Sequence, residues 1–215
     1  MGEPSVEIDI IFVGQTGVGK SSLINMIIGA VDGSKASANV SNDAHPCTTH
    51  TTSYSTTLDT GLRCQLWDTR GLDEAAGAQN FMSKLVDKIR QLASQQAREL
   101  KETLRDRTRL AIPILMWCID ATKIDVQVHW QQFQKVYVEY CERKAIPVLV
   151  ITRGPPKAGW EARCTDQLRQ LNLGADVPFR MVRRYRSTSS PEYGEDAKAL
   201  KDLILRANET LINSH

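Results

Sequence analysis

The hydrophobic positions of this chain fall into short unbroken runs separated by stripes of helical period. "VEIDIIFV" (Val6–Val13) is apolar and rich in β-branched residues and stops at Gly14, which predicts a buried strand. Leu23, Ile24, Ile27 and Ile28 then recur at helical spacing between Lys20 and Ile28, and Gly29 suits the end of that helix. "SYSTTLDTGLRCQLWDT" alternates around Asp59-Thr60-Gly61 and predicts an antiparallel hairpin. From Phe81 to about Thr108 one apolar stripe, carried by Leu85, Ile89, Leu92 and Leu100 among others, predicts a long amphipathic helix over about 81–108. "LAIPILMWCID" and "AIPVLVIT" read as two more buried strands. Between them a helix is predicted from Trp130 to Cys141, with Phe133, Val136, Tyr137 and Tyr140 on one face. A helix over "WEARCTDQLRQLNL", a strand over "FRMVRRY" and a closing helix from Pro191 to Ile212 complete the pattern.

Strands that alternate with helices after one hairpin imply an α/β domain. Its sheet should be mostly parallel, with one antiparallel hairpin strand and helices on both faces. A length of 215 residues suits one such domain, and no repeat or linker divides it, so residues 1–215 are expected to form a single unit. A net charge of +2 leaves no global electrostatic footprint for nucleic acid. The five cysteines are odd in number and form no C-x-x-C pair, which favours reduced thiols. No run approaches the roughly 18 apolar residues of a membrane span, and the first residues lack the basic region of a signal peptide. A cytoplasmic location is the expectation.

The chemistry starts where the first strand stops. Gly14, Gly19, Lys20 and Ser21 satisfy G-x-x-x-x-G-K-[ST] over residues 14–21, between a predicted strand and a predicted helix. Glycines let backbone N–H groups wrap an anion without Cβ clashes, and the helix presents its positive dipole end to it. Gly14, Thr16, Gly17, Val18, Gly19, Lys20, Ser21 and Ser22 are the candidate nucleotide-binding residues. Lys20 would reach the β- and γ-phosphates, and the Ser21 hydroxyl would ligate Mg2+. A chance glycine-rich turn is the competing reading, and the strand–loop–helix context argues against it.

A phosphate loop alone does not choose among kinase, ATPase and GTPase. Asp68-Thr69-Arg70-Gly71 fits D-x-x-G at the end of a hairpin strand, opening a second switch region of about 68–80. There Asp68 would hold the Mg2+ shell and the Gly71 N–H would sense the γ-phosphate. The polar stretch of about 31–52 is the first switch, and "HPCTTHTT" within it offers Thr48, Thr49, Thr51 and Thr52 as the remaining Mg2+ ligand. Through "IIFVGQTGVGKSSLINMI" and "DTRGLD" the chain resembles small GTPases of the translation-factor-related class, in their Era-like and septin-like branch. Septins, the immune-associated GTPases and stand-alone fungal G domains are the most similar. Pro46-Cys47-Thr48-Thr49 resembles the P-x-x-T form of the Era-like switch, which favours Thr49. The resemblance implies GTP and GDP as substrate and product, Mg2+ as cofactor, Lys20, Thr49 and Gly71 as the catalytic set, and Ser21, Thr49 and Asp68 around the metal. It also raises a nucleotide-dependent homodimer.

Two departures qualify that resemblance. The family reads guanine with N/T-K-x-D, and "TKID" (Thr122–Asp125) matches the string but follows the wrong strand. The following strand, where base reading belongs, ends Thr152-Arg153-Gly154-Pro155, with Arg for Lys and no Asp. "TKID" is therefore expected to be a loop opening a helix, with Asp125 as a cap. Thr152, Arg153 and Arg183 are the base-end candidates, Arg153 through stacking of its guanidinium. For the "RRYR" run around Arg183, a purine clasp and a solvated surface stay equally open. The second departure is Leu72, which stands where Ras-type proteins carry a water-orienting Gln. Arg70, His50 and Gln79 are the candidate substitutes. A nucleotide-binding module with negligible turnover is the first alternative, and a P-loop ATPase or kinase the second.

Overall fold

The protein is described by a computed structural model over residues 7–29, 38, 52–69, 71, 112–154, 158–173, 177–185 and 188–212. The expected first switch apart from Ala38 and Thr52, residues 70 and 72–80 of the second switch, and the long helix expected over 81–108 lie outside the described residues.

Six strands form one sheet: β1 (Glu7–Gly14), β2 (Thr52–Thr57), β3 (Arg63–Asp68), β4 (Ile114–Asp120), β5 (Ile146–Gly154) and β6 (Phe179–Arg183). Their spatial order is β2-β3-β1-β4-β5-β6. Only the β2–β3 hairpin is antiparallel, and its turn spans Leu58–Leu62, where the Leu58 N–H donates to the Leu62 carbonyl at 2.8 Å. The helices are α1 (Lys20–Ile28), α2 (Gln127–Gln134), α3 (Trp160–Gln170) and α4 (Pro191–Ile212). Fold class and topology are those the alternation of strands and helices predicts.

The central strands carry apolar residues on both of their faces because both faces are covered. The pleat sends Ile8, Ile10 and Phe12 of β1, Met116 of β4 and Val148 and Val150 of β5 to one side. There they pack with Leu23, Ile24 and Ile27 of α1 and with Leu200 and Ile204 of α4. Ile11, Val13, Trp117, Leu149 and Ile151 point to the other side, against Trp130 and Phe133 of α2 and Cys164 and Leu168 of α3. Trp117 and Phe133 stack with ring centroids 5.2 Å apart, and the Trp130 indole N–H donates to the Ile124 carbonyl at 2.7 Å, so its burial leaves no polar debt.

Two local features differ from the sequence expectation. The helix placed at 130–141 starts earlier, at Gln127, and winds as a π-helix over Lys135–Tyr140. The Cys141 N–H closes that wide turn on the Val136 carbonyl at 2.9 Å, and Glu142 and Arg143 then take left-handed backbone conformations to leave it. Asp125 does not cap α2. Val126 stands at the cap, and no side chain closes it. Cys64, Cys118, Cys141 and Cys164 are free and buried, and burial pushes each thiol up to about 12, which suits inert core positions.

The stacked, fully buried Phe133 gives the α2 face a measurable weight. Phe133→Ala should cost about 3–5 kcal/mol in denaturant unfolding. A loss below about 1 kcal/mol would contradict the packing described for this side of the sheet.

Candidate functional site

β1 carries the chain to Gly14 between its two parallel neighbours, β3 and β4. A Cβ at Gly14 would lie 2.5 Å from the Cys118 carbonyl oxygen of β4, so a side chain there would force the loop off the sheet. The chain turns back through Gly19, in left-handed conformation at φ 99°, and α1 starts at Lys20 without a side-chain cap. The N–H groups of the first helical turn are thus left to the loop's concave side. Lys20 is only 6% exposed. Its ammonium donates to the Gly14 carbonyl at 3.1 Å and the Gln15 carbonyl at 2.9 Å, folding back over the loop it serves.

The next residue of α1 joins this loop to the hairpin. The Ser21 hydroxyl donates to Asp68 Oδ2 at 2.7 Å, across 47 positions of sequence. Register explains why they meet: Phe12 of β1 lies opposite Asp68 of β3, so β3 delivers its last carboxylate beside the start of the phosphate loop. The buried Thr69 hydroxyl fastens the following residue to the Phe12 carbonyl. Two residues further on, Gly71 lies directly against the loop. A Cβ built on it would sit 2.5 Å from the Thr16 Cα and closer still to the Thr16 nitrogen and hydroxyl.

Residues 9–153 match the family described as 50S ribosome-binding GTPase, which spans most of the sheet and every element named so far in the site. The chain belongs to this GTPase family. Among solved structures, Era in complex with MgGDPNP and nucleotides 1506–1542 of 16S ribosomal RNA aligns with a TM-score of 0.59 at 15% identity, over 93% of this chain and 57% of that one. An Aquifex aeolicus Era variant bound to GDP.AlF4- gives 0.56 at 14% identity, over 92% of this chain and 56% of that one. At these identities the likeness is one of fold, and this GTPase domain spans little more than half the length of the Era chains. No curated protein matches the sequence.

The GTPase domain brings together an oxygen donor set that fits a magnesium ion. A hydroxyl and a carboxylate, Ser21 and Asp68, are hard ligands, and they leave most of a coordination sphere to phosphate oxygens and water. Among the described residues no group of three or more His, Cys, Asp or Glu competes as a metal site. Thr49, the third expected ligand, the candidate substitutes Arg70, His50 and Gln79, and Leu72 itself lie outside the described residues.

At the opposite end of the loop, β5 closes over the cradle. The buried Thr152 hydroxyl donates to the Val18 carbonyl at 2.7 Å. The pairing of β5 with β6 shifts register between Ile151 and Gly154, and inside that irregularity Arg153 is left-handed at φ 62°. Its guanidinium donates to Asp120 Oδ2 at 3.2 Å and to the Gly17 carbonyl. Thr152 and Arg153 therefore hold the cradle at Gly17 and Val18. "TKID" follows β4, one strand earlier. Ala121–Lys123 form a short 3-10 turn capped by Asp120, whose Oδ1 accepts the Thr122 N–H at 2.9 Å. Asp125, the residue expected to cap, instead pairs with Arg163 of α3 at 3.1 Å. Arg183 is engaged by α4: its backbone N–H and guanidinium bind Asp196, and its guanidinium also binds Glu195. The Arg183 side chain is thus paired with two carboxylates of α4 while 40% exposed, and Arg184 beside it is exposed.

Three participants lie outside the expected site residues. Lys123 donates to Gln15 Oε1 at 2.8 Å across 108 positions. Asn25 of α1 exchanges two hydrogen bonds with the backbone of Ala38, at 2.7 and 3.0 Å, which ties part of the first-switch stretch to the helix that opens the cradle. Asp120 joins the 3-10 turn to Arg153. The common reason is sequence separation: each pairing exists only once the strand ends are side by side.

Asp120 makes this arrangement pH-sensitive. Burial works against its charged form, but hydrogen bonds from Thr122 and the Arg153 guanidinium outweigh that and hold the carboxyl below the usual carboxylate range. A depressed folded-state value means stability that is present above about pH 4 and lost as pH falls through the folded value. Asp120→Asn should therefore be less stable than the parent by about 1–3 kcal/mol at pH 7, with the gap closing on acidification. Unfolding curves for both proteins from pH 7 down to 3 check this. A gap that stays constant across the series would contradict the charge-based account.

Proposed function

We propose that this domain is a Mg2+-dependent guanine-nucleotide switch that hydrolyses GTP to GDP slowly on its own. The Ser21–Asp68 hydrogen bond carries the reading, because it joins the phosphate loop to D-x-x-G at the point where a nucleotide-bound metal needs both. Loop N–H groups and the α1 N-terminus would take the α- and β-phosphates, and Lys20 would exchange loop carbonyls for β- and γ-phosphate oxygens. Ser21 and, through water, Asp68 would hold the metal, with Thr49 closing over it when the γ-phosphate is present. A bound Mg2+ would neutralise charge on the transferring phosphoryl group. Gly71 can sense only the γ-phosphate, and that differential contact is what lets GTP and GDP favour different switch conformations.

Slow turnover follows from Leu72, whose side chain has no atom to hydrogen-bond a water. The same residue favours one second reading, a nucleotide-binding interaction module without turnover. Association of two copies gated by the γ-phosphate rests on the resemblance to septins and immune-associated GTPases. A single-domain, cytoplasmic arrangement rests on length and composition. No described helix is long and apolar enough to cross a membrane.

Lys20→Ala should leave the melting curve within a few degrees of the parent and weaken GTP and GDP binding by about 100-fold or more, the scale of losing a desolvated charge partner. Calorimetric titration of both proteins measures it. Parent-like affinity in a folded Lys20→Ala protein would remove the phosphate-loop assignment. Binding of GTP by the parent with no phosphate release in single turnover would favour the second reading.

A further inference from the structure

Hydrolysis needs a group that holds water in line with the γ-phosphorus, and the residue that follows D-x-x-G is Leu72. Among the described residues, the end of the cradle assigned to the γ-phosphate is bounded by Lys20, by the Ser21–Asp68 pair and by Gly71. Lys20 is a cation and a donor only. Ser21 and Asp68 are bonded to each other and form the metal's donor set. The three heavy atoms nearest to a side chain built at Gly71 all belong to Thr16: its hydroxyl, its nitrogen and its Cα. The second-switch glycine therefore rests on the one hydroxyl that the phosphate loop itself presents there.

We propose that Thr16 is a catalytic residue of this GTPase domain, its hydroxyl accepting a hydrogen bond from the attacking water. The inference rests on the GTPase reading above and deepens it. With the γ-phosphoryl group at that end of the cradle, a water opposite GDP would enter beside Gly71, and Thr16 Oγ1 is the nearest heavy atom to a Cβ built on that residue. In the step, the water oxygen forms a bond to the γ-phosphorus while the bond from phosphorus to the β,γ-bridging oxygen breaks. The electron pair leaves with GDP, and the water's proton ends on an oxygen of the released phosphate. Thr16 keeps its own proton throughout. It orients the nucleophile, and Lys20 and the metal shell stabilise the charge. A threonine is suited to the place because its β-branch restricts χ1 and holds the hydroxyl in few rotamers.

The test compares Thr16→Ala and Thr16→Ser with the parent in single-turnover GTP hydrolysis, alongside affinity for a non-hydrolysable GTP analogue and thermal melting. Thr16→Ala keeps the backbone N–H by which Thr16 counts among the nucleotide-binding residues, so it should lower the hydrolysis rate about tenfold or more with analogue affinity within about threefold of the parent. Thr16→Ser, which keeps the hydroxyl, should recover most of the rate. Unchanged hydrolysis in Thr16→Ala would overturn the proposal. So would equal losses in both variants, which would make the methyl group the determinant, and so would a Thr16→Ala protein that no longer binds the analogue, which would make the Thr16 side chain a binding group and not a water-orienting one. A parent that binds GTP without hydrolysing it overturns the proposal and leaves nucleotide binding intact. A parent that binds no GTP sinks the functional reading itself.

Discussion

The passage of the chain at Gly14, in contact with the Cys118 carbonyl of β4, is the constraint on which the rest of the site depends. It puts the phosphate loop at the ends of the two innermost strands, where every later element can reach it. β3 arrives on one side in parallel register and sets Asp68 beside Ser21. β4 and β5 arrive on the other and set Asp120, Thr152 and Arg153 beside Gly17 and Val18. Three of the six residues from Gly14 to Gly19 are glycines, which lend the loop little stiffness of their own. Its conformation is held by donors from the end of β5, from Lys123 in the turn after β4 and from Lys20, and such ordering in advance is what makes a cradle receptive to an anion.

That ordering carries a local cost. Arg153 sits in a left-handed conformation that a non-glycine residue avoids, worth about 1–3 kcal/mol of strain. The compensating contacts are visible: a half-exposed guanidinium spans Asp120 and the Gly17 carbonyl, and Asp120 is itself held by the Thr122 turn. A planar guanidinium can span two acceptors in fixed geometry, which an ammonium on a flexible stem does less well. Arg153 therefore braces the cradle. Arg183 plays the equivalent part for β6, where Asp196 holds its backbone and side chain together and fixes the end of that strand on α4.

The fold was legible because its signals are local. β1 stops at the predicted glycine, α1 ends at Gly29, and α4 covers the predicted 191–212. The π-helical turn after α2 was not legible, since Val136, Tyr137 and Tyr140 fit an ordinary helical stripe and nothing in their spacing announces a wider turn. At the site, the phosphate loop and Asp68 could be named from motif and context, and the place of "TKID" could be reasoned from strand count. The bracing contacts could not. Lys123 with Gln15, Asn25 with Ala38 and Thr16 with Gly71 join residues with no shared motif, and a composition that favours no particular partner leaves them to the topology.

The most direct test of the account is the magnesium dependence of GTP affinity in the parent protein and in Asp68→Asn. If Ser21 and Asp68 form the two protein sides of a metal–phosphate site, Mg2+ should tighten GTP binding to the parent by about tenfold or more. Asp68→Asn should lose most of that gain while keeping its metal-free affinity. An equal magnesium effect in both proteins would show that the metal is not held where these two side chains meet, and would contradict the site as described.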